Sequence, residues 1–199
     1  MGIVFSDLAV SADGFATGLN QREEAPFGDV DENWLHRWMF ETADENRAEV
    51  DAIVDSGATI MGRNMYGPVR GEWDRDWRGW WGPNPPYHGP VFVLTHFSHD
   101  PIEMEGGTTF HFVTDGIHAA MQQARAAAGD GNISVAGGPT TVNEYLAAGL
   151  IDELRLHVTP CILGAGERVF DGVPSQQLER VSVRPTSRVT HMVYRPARP

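Results

Sequence analysis

Along the chain, short β-rich apolar runs alternate with stretches whose apolar residues recur at helical spacing. The β-rich runs predict strands at residues 3–10, 59–61, 90–95, 108–113, 133–136 and 154–158. The helical spacing predicts helices over residues 117–128 and from Pro139 to Gly149, and a longer one that begins at Asp31 or Asn33 and ends at Gly57. Because strands and helices alternate up to residue 150, the sequence predicts a mostly parallel sheet covered on both faces.

The remaining segments complete this prediction. Residues 178–183 and 189–194 alternate between apolar and polar positions, which predicts a closing antiparallel pair. Residues 11–30 and 72–89 are predicted loops, and the first is long enough to suggest a role beyond connection. No internal repeat, low-complexity tract or linker divides the chain, so we expect a single domain over residues 1–199.

Composition and charge restrict the functional class. The 199 residues are 41% hydrophobic, but no apolar run reaches the roughly 18 residues that cross a bilayer, so we expect no membrane partner. A net charge of −12 predicts no nucleic-acid partner, since such binding neutralises phosphates with cations. All fifteen cations are Arg, which excludes a Schiff-base or P-loop lysine. The single cysteine, Cys161, excludes an internal disulfide and favours a cytoplasmic location.

A glycine pair, Gly137-Gly138, stands between a predicted strand and a predicted helix. Without side chains it allows another molecule to approach the backbone. Pro139 suits the first helical position, and Thr140 and Thr141 add hydroxyls there. Free N–H groups and the positive end of the helix dipole suit a phosphate. The alternative is an ordinary tight turn.

Four polar or glycine-containing pairs follow predicted strands: Asp13-Gly14, Gly62-Arg63, Thr95-His96 and Gly137-Gly138. A parallel sheet binds its ligands beyond the carboxyl ends of the strands, so these pairs are expected to converge. A complete G-x-G-x-x-G sequence after a strand is absent, so bound phosphates would lie across several turns.

Five segments follow one another along the chain: residues 10–15 (VSADGF), 60–66 (IMGRNMY), 91–96 (VFVLTH), 135–138 (VAGG) and 151–166 (IDELRLHVTPCILGAG). In this order they resemble dihydrofolate-reductase-like proteins, and most of all the reductase domain of the bacterial bifunctional riboflavin-biosynthesis deaminase-reductase. The resemblance covers roughly residues 3–194. It implies an eight-stranded, largely parallel sheet flanked by helices, NADPH as hydride donor and a homodimer.

The resemblance also assigns the cofactor site. It implies that Gly62 and Arg63 meet the cofactor phosphates, that Thr95 and His96 lie by the adenosine 2′-phosphate, and that the glycine pair lies against the pyrophosphate and nicotinamide. Asn64 and Met65 depart from the usual cation and Thr, which weakens the preference for NADPH over NADH. The expected cofactor residues are Gly62, Arg63, Asn64, Thr95, His96, Ala136, Gly137, Gly138, Pro139, Thr140 and Thr141.

Reduction of a C=N or C=O group needs a proton donor, because charge builds on the heteroatom as hydride arrives. Asp13, at the end of the first strand, and Asp31, at the start of the following helix, are the candidates. Each has a structural alternative: Asp-Gly is a favoured turn pair, and Asp31 can cap the helix.

The loop at residues 72–89 carries four Trp among Arg and Asp residues. Such side chains can stack on a flat heterocycle. Interfaces favour the same composition, so a dimer contact explains it too, and the two roles are compatible. The expected substrate residues are Phe15, Trp34, Trp80 and Trp81. His96, His99 and Asp100 lack a further organised cluster, so no metal site is predicted.

Three functions compete. The first is NADPH-dependent reduction of a planar heterocycle that resembles a pterin or a pyrimidine. The second is the riboflavin-pathway reduction of a phosphoribosyl aminouracil, which is disfavoured by Phe15 in place of a usual basic residue and by the lack of a deaminase domain. The third is non-catalytic nucleotide binding.

Overall fold

The computed structural model describes residues 2–31 and 33–197. Its strands are β1 (Val4–Ser11), β2 (Phe15–Thr17), β3 (Ala58–Gly62), β4 (Pro90–Leu94), β5 (Ile102–Glu103), β6 (Thr109–Val113), β7 (Ile133–Gly137), β8 (Glu153–Thr159), β9 (Glu167–Arg168), β10 (Leu178–Pro185) and β11 (Thr190–Pro196). Its α-helices are α1 (Asn33–Phe40), α2 (Arg47–Val54), α3 (Arg63–Tyr66), α4 (Gly116–Ala128) and α5 (Pro139–Ala147).

The main sheet has the strand order β10-β11-β8-β1-β7-β3-β4-β6-β5. The five pairings from β8 to β6 are parallel, and the strands outside them pair antiparallel. This confirms the predicted fold class, including the C-terminal hairpin. Within residues 2–31 and 33–197 the sheet has nine strands rather than eight, because the two-residue β5 adds to one edge. The predicted loop at residues 11–30 contains a further short strand, β2, which pairs with β9.

The two faces of the sheet carry separate apolar clusters. On β4, Phe92 belongs to a cluster with Ala120 and Met121 of α4, whereas Val91 and Val93 belong to a second cluster. Three tryptophans of the loop at residues 72–89 pack against this second cluster. Successive residues of a strand point to opposite faces, so α4 covers one face there and the Trp-rich loop covers the other.

The prediction of one continuous helix from Asp31 or Asn33 to Gly57 is wrong. Residues 41–46 form turns that separate α1 from α2. The hydroxyl of Thr42 donates to the carbonyl of Trp38, and the buried Asn46 amide donates to the carbonyls of both Trp38 and Thr42. These side chains occupy carbonyls that a continuing helix would use, because Thr and Asn bond readily to nearby backbone.

Candidate active site

The carboxyl ends of the parallel strands form one edge of the sheet, and a cleft of about 470 Å³ lies there. Eight of the expected cofactor residues line it: Gly62, Arg63, Asn64, Thr95, His96, Gly138, Thr140 and Thr141. They come from turns after β3, β4 and β7, as expected for ligand positions in a parallel sheet. We call this space the cofactor cleft.

Arg63 is the most tightly held cation of the cofactor cleft. Its guanidinium donates to the hydroxyl of Thr95 at 2.7 Å and to the carbonyl of Gly71 at 3.0 Å, and it lies 3.3 Å from the ring centroid of Trp73. Burial lowers the pKa of Arg63. Its Nε is buried with no hydrogen-bond partner within the described chain. An arginine with a fixed plane and an unused donor is suited to an anion.

The glycines give the cleft its shape. A Cβ on Gly62 would lie 2.3 Å from the hydroxyl oxygen of Thr141, so only glycine allows β3 to approach α5 this closely. A Cβ on Gly138 would meet nothing within 4 Å, so this backbone faces open space in the cleft. The Gly137–Gly138 peptide is cis. Pro139 begins α5, as predicted, and the first N–H groups of that helix lie beside the cleft.

A second cavity of about 310 Å³ adjoins the cofactor cleft and shares Asn64, Gly138 and Glu167 with it. Its wall is mostly apolar. Besides the shared Asn64 and Gly138, the residues expected to bind substrate or cofactor that line it are Trp80, Trp81, Ala136 and Pro139. We call it the substrate cavity.

Other expected site residues lie elsewhere. Phe15 is buried in β2 beneath the guanidinium of Arg168, 4.2 Å from its ring centroid. Trp34 is 47% exposed on α1 and lines a separate surface groove with Cys161. Gly137, the last residue of β7, lines neither cavity.

Neither predicted proton donor lines the substrate cavity. Asp13 accepts hydrogen bonds from the Ser11 hydroxyl and from the backbone N–H groups of Leu163 and Gly164, and these bonds lower its pKa to about 2. Asp31 is exposed and accepts the backbone N–H of Asn33 at 2.9 Å, which is the geometry of a helix cap.

The structure adds polar residues that sequence reasoning missed. Arg70 lines the cofactor cleft, and Asp7, Gln21 and His36 line the substrate cavity. The sequence signal for Asp7 is an acid inside the first strand, where a polar residue is expected to face solvent. Arg70 and Gln21 lie in loops whose path the sequence does not show.

The Trp-rich loop packs inward on its own chain. Trp77 donates to the carbonyl of Tyr66 at 2.9 Å, and the hydroxyl of Tyr66 donates to the carbonyl of Trp77 at 2.7 Å. Trp77 contacts Trp80 edge to face, with ring centroids 4.7 Å apart, and Trp81 packs against Tyr87. This loop therefore forms part of the substrate cavity wall.

The fold and the two adjoining cavities define a dihydrofolate-reductase-like protein. The RibD C-terminal domain family matches residues 3–192, so the chain belongs to that family. No curated protein matches the chain. Within the described residues, no helix is both long and apolar enough to cross a membrane.

Solved structures share this fold at low identity. A protein from Shewanella sp. PV-4, named for riboflavin biosynthesis, is 21% identical with a TM-score of 0.62, and 98% of this chain and 99% of that chain are covered. The deaminase/reductase of Thermotoga maritima is 15% identical with a TM-score of 0.61, covering 98% of this chain but only 57% of that one. Dihydrofolate reductase from Enterococcus faecalis, complexed with NADP(H), is 13% identical with a TM-score of 0.60, covering 98% and 96%.

Proposed function

We propose that the protein is an NADPH-dependent reductase of a small planar heterocycle that resembles a pterin or a pyrimidine. One observation carries this proposal: a cleft lined by two arginines adjoins a mostly apolar cavity, and Asn64, Gly138 and Glu167 line both. A dinucleotide along the cleft would place its nicotinamide end at that wall. The mostly apolar cavity suits a flat ring.

The described residues fit the cofactor. Arg63 has a buried donor with no partner, Arg70 lines the same cleft, and Gly138 leaves open space for a pyrophosphate. The hydroxyl of Thr95 is occupied by Arg63, so it acts by holding the guanidinium and leaves His96 to meet a 2′-phosphate. When bound, NADPH supplies hydride.

The substrate cavity favours a substrate without a phosphate. Asp7 and Glu167 line it, and no arginine does so among the residues described. A phosphate there would face Glu167 and find no arginine in the described cavity wall, which is costly at close range. N–H groups on the edge of a heterocycle would find acceptors instead. This charge pattern disfavours a phosphoribosyl aminouracil, which is the substrate in the riboflavin-pathway alternative.

Titration of NADPH and NADH by calorimetry, followed by cofactor oxidation with pterins, pyrimidines and a phosphoribosyl aminouracil, tests the proposal. We expect NADPH binding and turnover with an unphosphorylated ring. Turnover of the phosphoribosyl compound alone would establish the riboflavin-pathway alternative. Cofactor binding with no turnover of any compound would establish non-catalytic nucleotide binding.

We also propose a cytoplasmic homodimer. Cys161 is free, in keeping with a reducing compartment. Trp34 and Ile162 are 47% and 72% exposed and line one groove, which gives an apolar surface for a second copy. Sedimentation equilibrium of the wild type and of Ile162→Glu tests this: the variant is expected to be monomeric, and a monomeric wild type would refute the proposal.

A further inference from the structure

A chain of hydrogen bonds between ionisable side chains lies behind the substrate cavity. Asp7 on β1, His157 on β8 and His191 on β11 share one face of three neighbouring strands. The strand register pairs Ala9 with His157 and His157 with His191. Asp7 stands two residues before Ala9 and therefore points to the same face, within reach of His157.

The distances describe a continuous network. Oδ1 of Asp7 is 3.0 Å from Nε2 of His157, Nδ1 of His157 is 2.7 Å from Nδ1 of His191, and Nε2 of His191 is 2.8 Å from Oδ1 of Asn46. The side chains of Asp7 and His157 are 5% and 3% exposed. The indole of Trp38 covers both imidazoles, with centroids 4.8 and 5.1 Å away. Only Asp7 of this network lines the substrate cavity.

Asn46 fixes the direction of the hydrogen bonds. Its Nδ2 donates to the carbonyls of Trp38 and Thr42, which can only accept. Its Oδ1 must therefore face His191, and Nε2 of His191 must donate to it.

The position of the proton on His191 then determines which nitrogens of His157 carry a proton. Burial, and next the neighbouring His157, hold the pKa of His191 down to about 4, so His191 is neutral near pH 7. A neutral imidazole carries one N–H, and that of His191 is on Nε2. Its Nδ1 must accept, and Nδ1 of His157 must donate. The contact between His157 and Asp7 can form only if one proton lies between Nε2 and Oδ1.

The charges around this contact are balanced. Arg155 on β8 donates to the second oxygen of Asp7 at 3.4 Å and pairs with Glu153 at 2.9 Å. Beyond His191, Glu49 of α2 is paired with Arg184 of β10. His36 of α1 is a further titratable residue that lines the substrate cavity with Asp7. Each of these cations is paired with an anion. The net charge around the contact therefore neither drives the shared proton off the Asp7–His157 pair nor prevents its transfer.

We propose that Asp7 and His157 hold one shared proton, and that Asp7 is the catalytic residue that presents it to the substrate. His157 and His191 are positioning residues. This inference rests on the proposed reductase function. In the step it describes, a C=N carbon gains a hydride, with its two electrons, from the dihydronicotinamide. The π bond breaks toward nitrogen, and nitrogen takes the shared proton. The Asp7–His157 pair regains a proton from water after product leaves.

Nitrogen-15 NMR of the imidazole rings tests the shared proton without cofactor or substrate. In the wild type at pH 7 we expect His157 to be protonated at Nδ1, with the Nε2 signal shifted toward that of a protonated nitrogen. In Asp7→Asn, which keeps the shape but cannot share a proton, we expect a neutral His157. An unprotonated Nδ1 in the wild type, or His157 signals that are the same in both proteins, would overturn the inference.

A kinetic measurement tests the delivery of the proton. With NADPH and 6,7-dimethyl-7,8-dihydropterin as probe, Asp7→Asn should lower kcat by about 10²–10⁴-fold and leave NADPH affinity within about twofold. Asp51→Asn, an exposed change on α2, is the matched control and should behave as wild type. An Asp7→Asn variant that keeps a third or more of kcat would refute the catalytic role. Failure of the wild type to bind NADPH would instead refute the proposed function, and the NMR result would stand separately.

Discussion

The guanidinium of Arg63, which lines the cofactor cleft, lies over the indole ring of Trp73, 3.3 Å from its centroid. This stacking and the hydrogen bonds to Thr95 and Gly71 hold the cation in place before any ligand arrives. Such preorganisation lowers the entropy lost on binding. It also connects the Trp-rich loop, through Trp73, to the cofactor cleft.

Arg63→Lys should therefore weaken NADPH binding although the charge is kept. A lysine ammonium cannot make the same planar contacts with Trp73, Thr95 and a phosphate. Since a hydrogen bond to a charged group is worth about 1.5–3 kcal/mol, we expect a loss of about tenfold or more in calorimetric affinity. Arg125→Lys, an exposed change on α4, is the matched control, and equal losses in the two variants would contradict the assignment.

Gly138→Asp and Gly138→Ala separate charge from size in the cleft. The position has ordinary extended backbone angles and open space at its Cβ, so we expect both variants to fold. The carboxylate should lower NADPH affinity by about tenfold or more through repulsion of the pyrophosphate, and the methyl group should have a smaller effect. Equal affinity of the wild type and a folded Gly138→Asp variant would show that the pyrophosphate lies elsewhere.

Two variants distinguish the cap role of Asp31 from proton donation. Asp31→Ala should lower the free energy of unfolding by about 1 kcal/mol, because the N–H of Asn33 loses its acceptor, and Asp31→Asn should restore most of it. If Asp31 protonates the substrate, Asp31→Asn should instead lower turnover by about 10²–10⁴-fold at nearly unchanged stability. The free energy of unfolding in urea and the turnover rate, measured for both variants, distinguish the cap role from proton donation.

Asp13 should stabilise the fold in a pH-dependent way. Hydrogen bonds from Ser11 and from backbone N–H groups lower its pKa to about 2, below the usual 3.8. A lowered acid pKa stabilises the folded state above the unfolded pKa, and this contribution disappears as pH falls from about 4 to about 2. The stability difference between wild type and Asp13→Asn should thus shrink over that range in urea unfolding. A constant difference, or the same trend in Asp51→Asn, would contradict this.

His191 should make the fold less stable in mild acid. Its folded pKa of about 4 lies below the usual 6.5, so between these values the unfolded chain binds a proton that the folded protein does not. Stability should therefore fall by about 1–3 kcal/mol from pH 7 to pH 4. His191→Gln should flatten this slope, and the exposed control His118→Gln should not. A slope that survives in His191→Gln would assign it to other groups.

The sequence by itself determined the order of elements and the turns of the cofactor cleft. Period-two and helical patterns are local signals, and the glycine pair, Pro139 and the two threonines mark a strand-to-helix turn within five residues. Because parallel strands end at one edge, the meeting of Gly62, Arg63, Thr95 and Gly138 followed from chain order alone. The prediction of one long helix is wrong because Thr42 and Asn46 end α1 through side-chain hydrogen bonds that the apolar spacing does not show.

Only the tertiary structure decided which acid enters the substrate cavity. His157 alternates with apolar residues in β8, and Asp7 lies inside β1, 150 positions earlier. Polar side chains at such positions usually face water. They are buried here because α1 places Trp38 over that face, and they meet because β1 and β8 pair in one register. The register of two strands depends on long-range packing, and so does the choice of the element that covers a sheet face. No local pattern in the sequence predicts either of them.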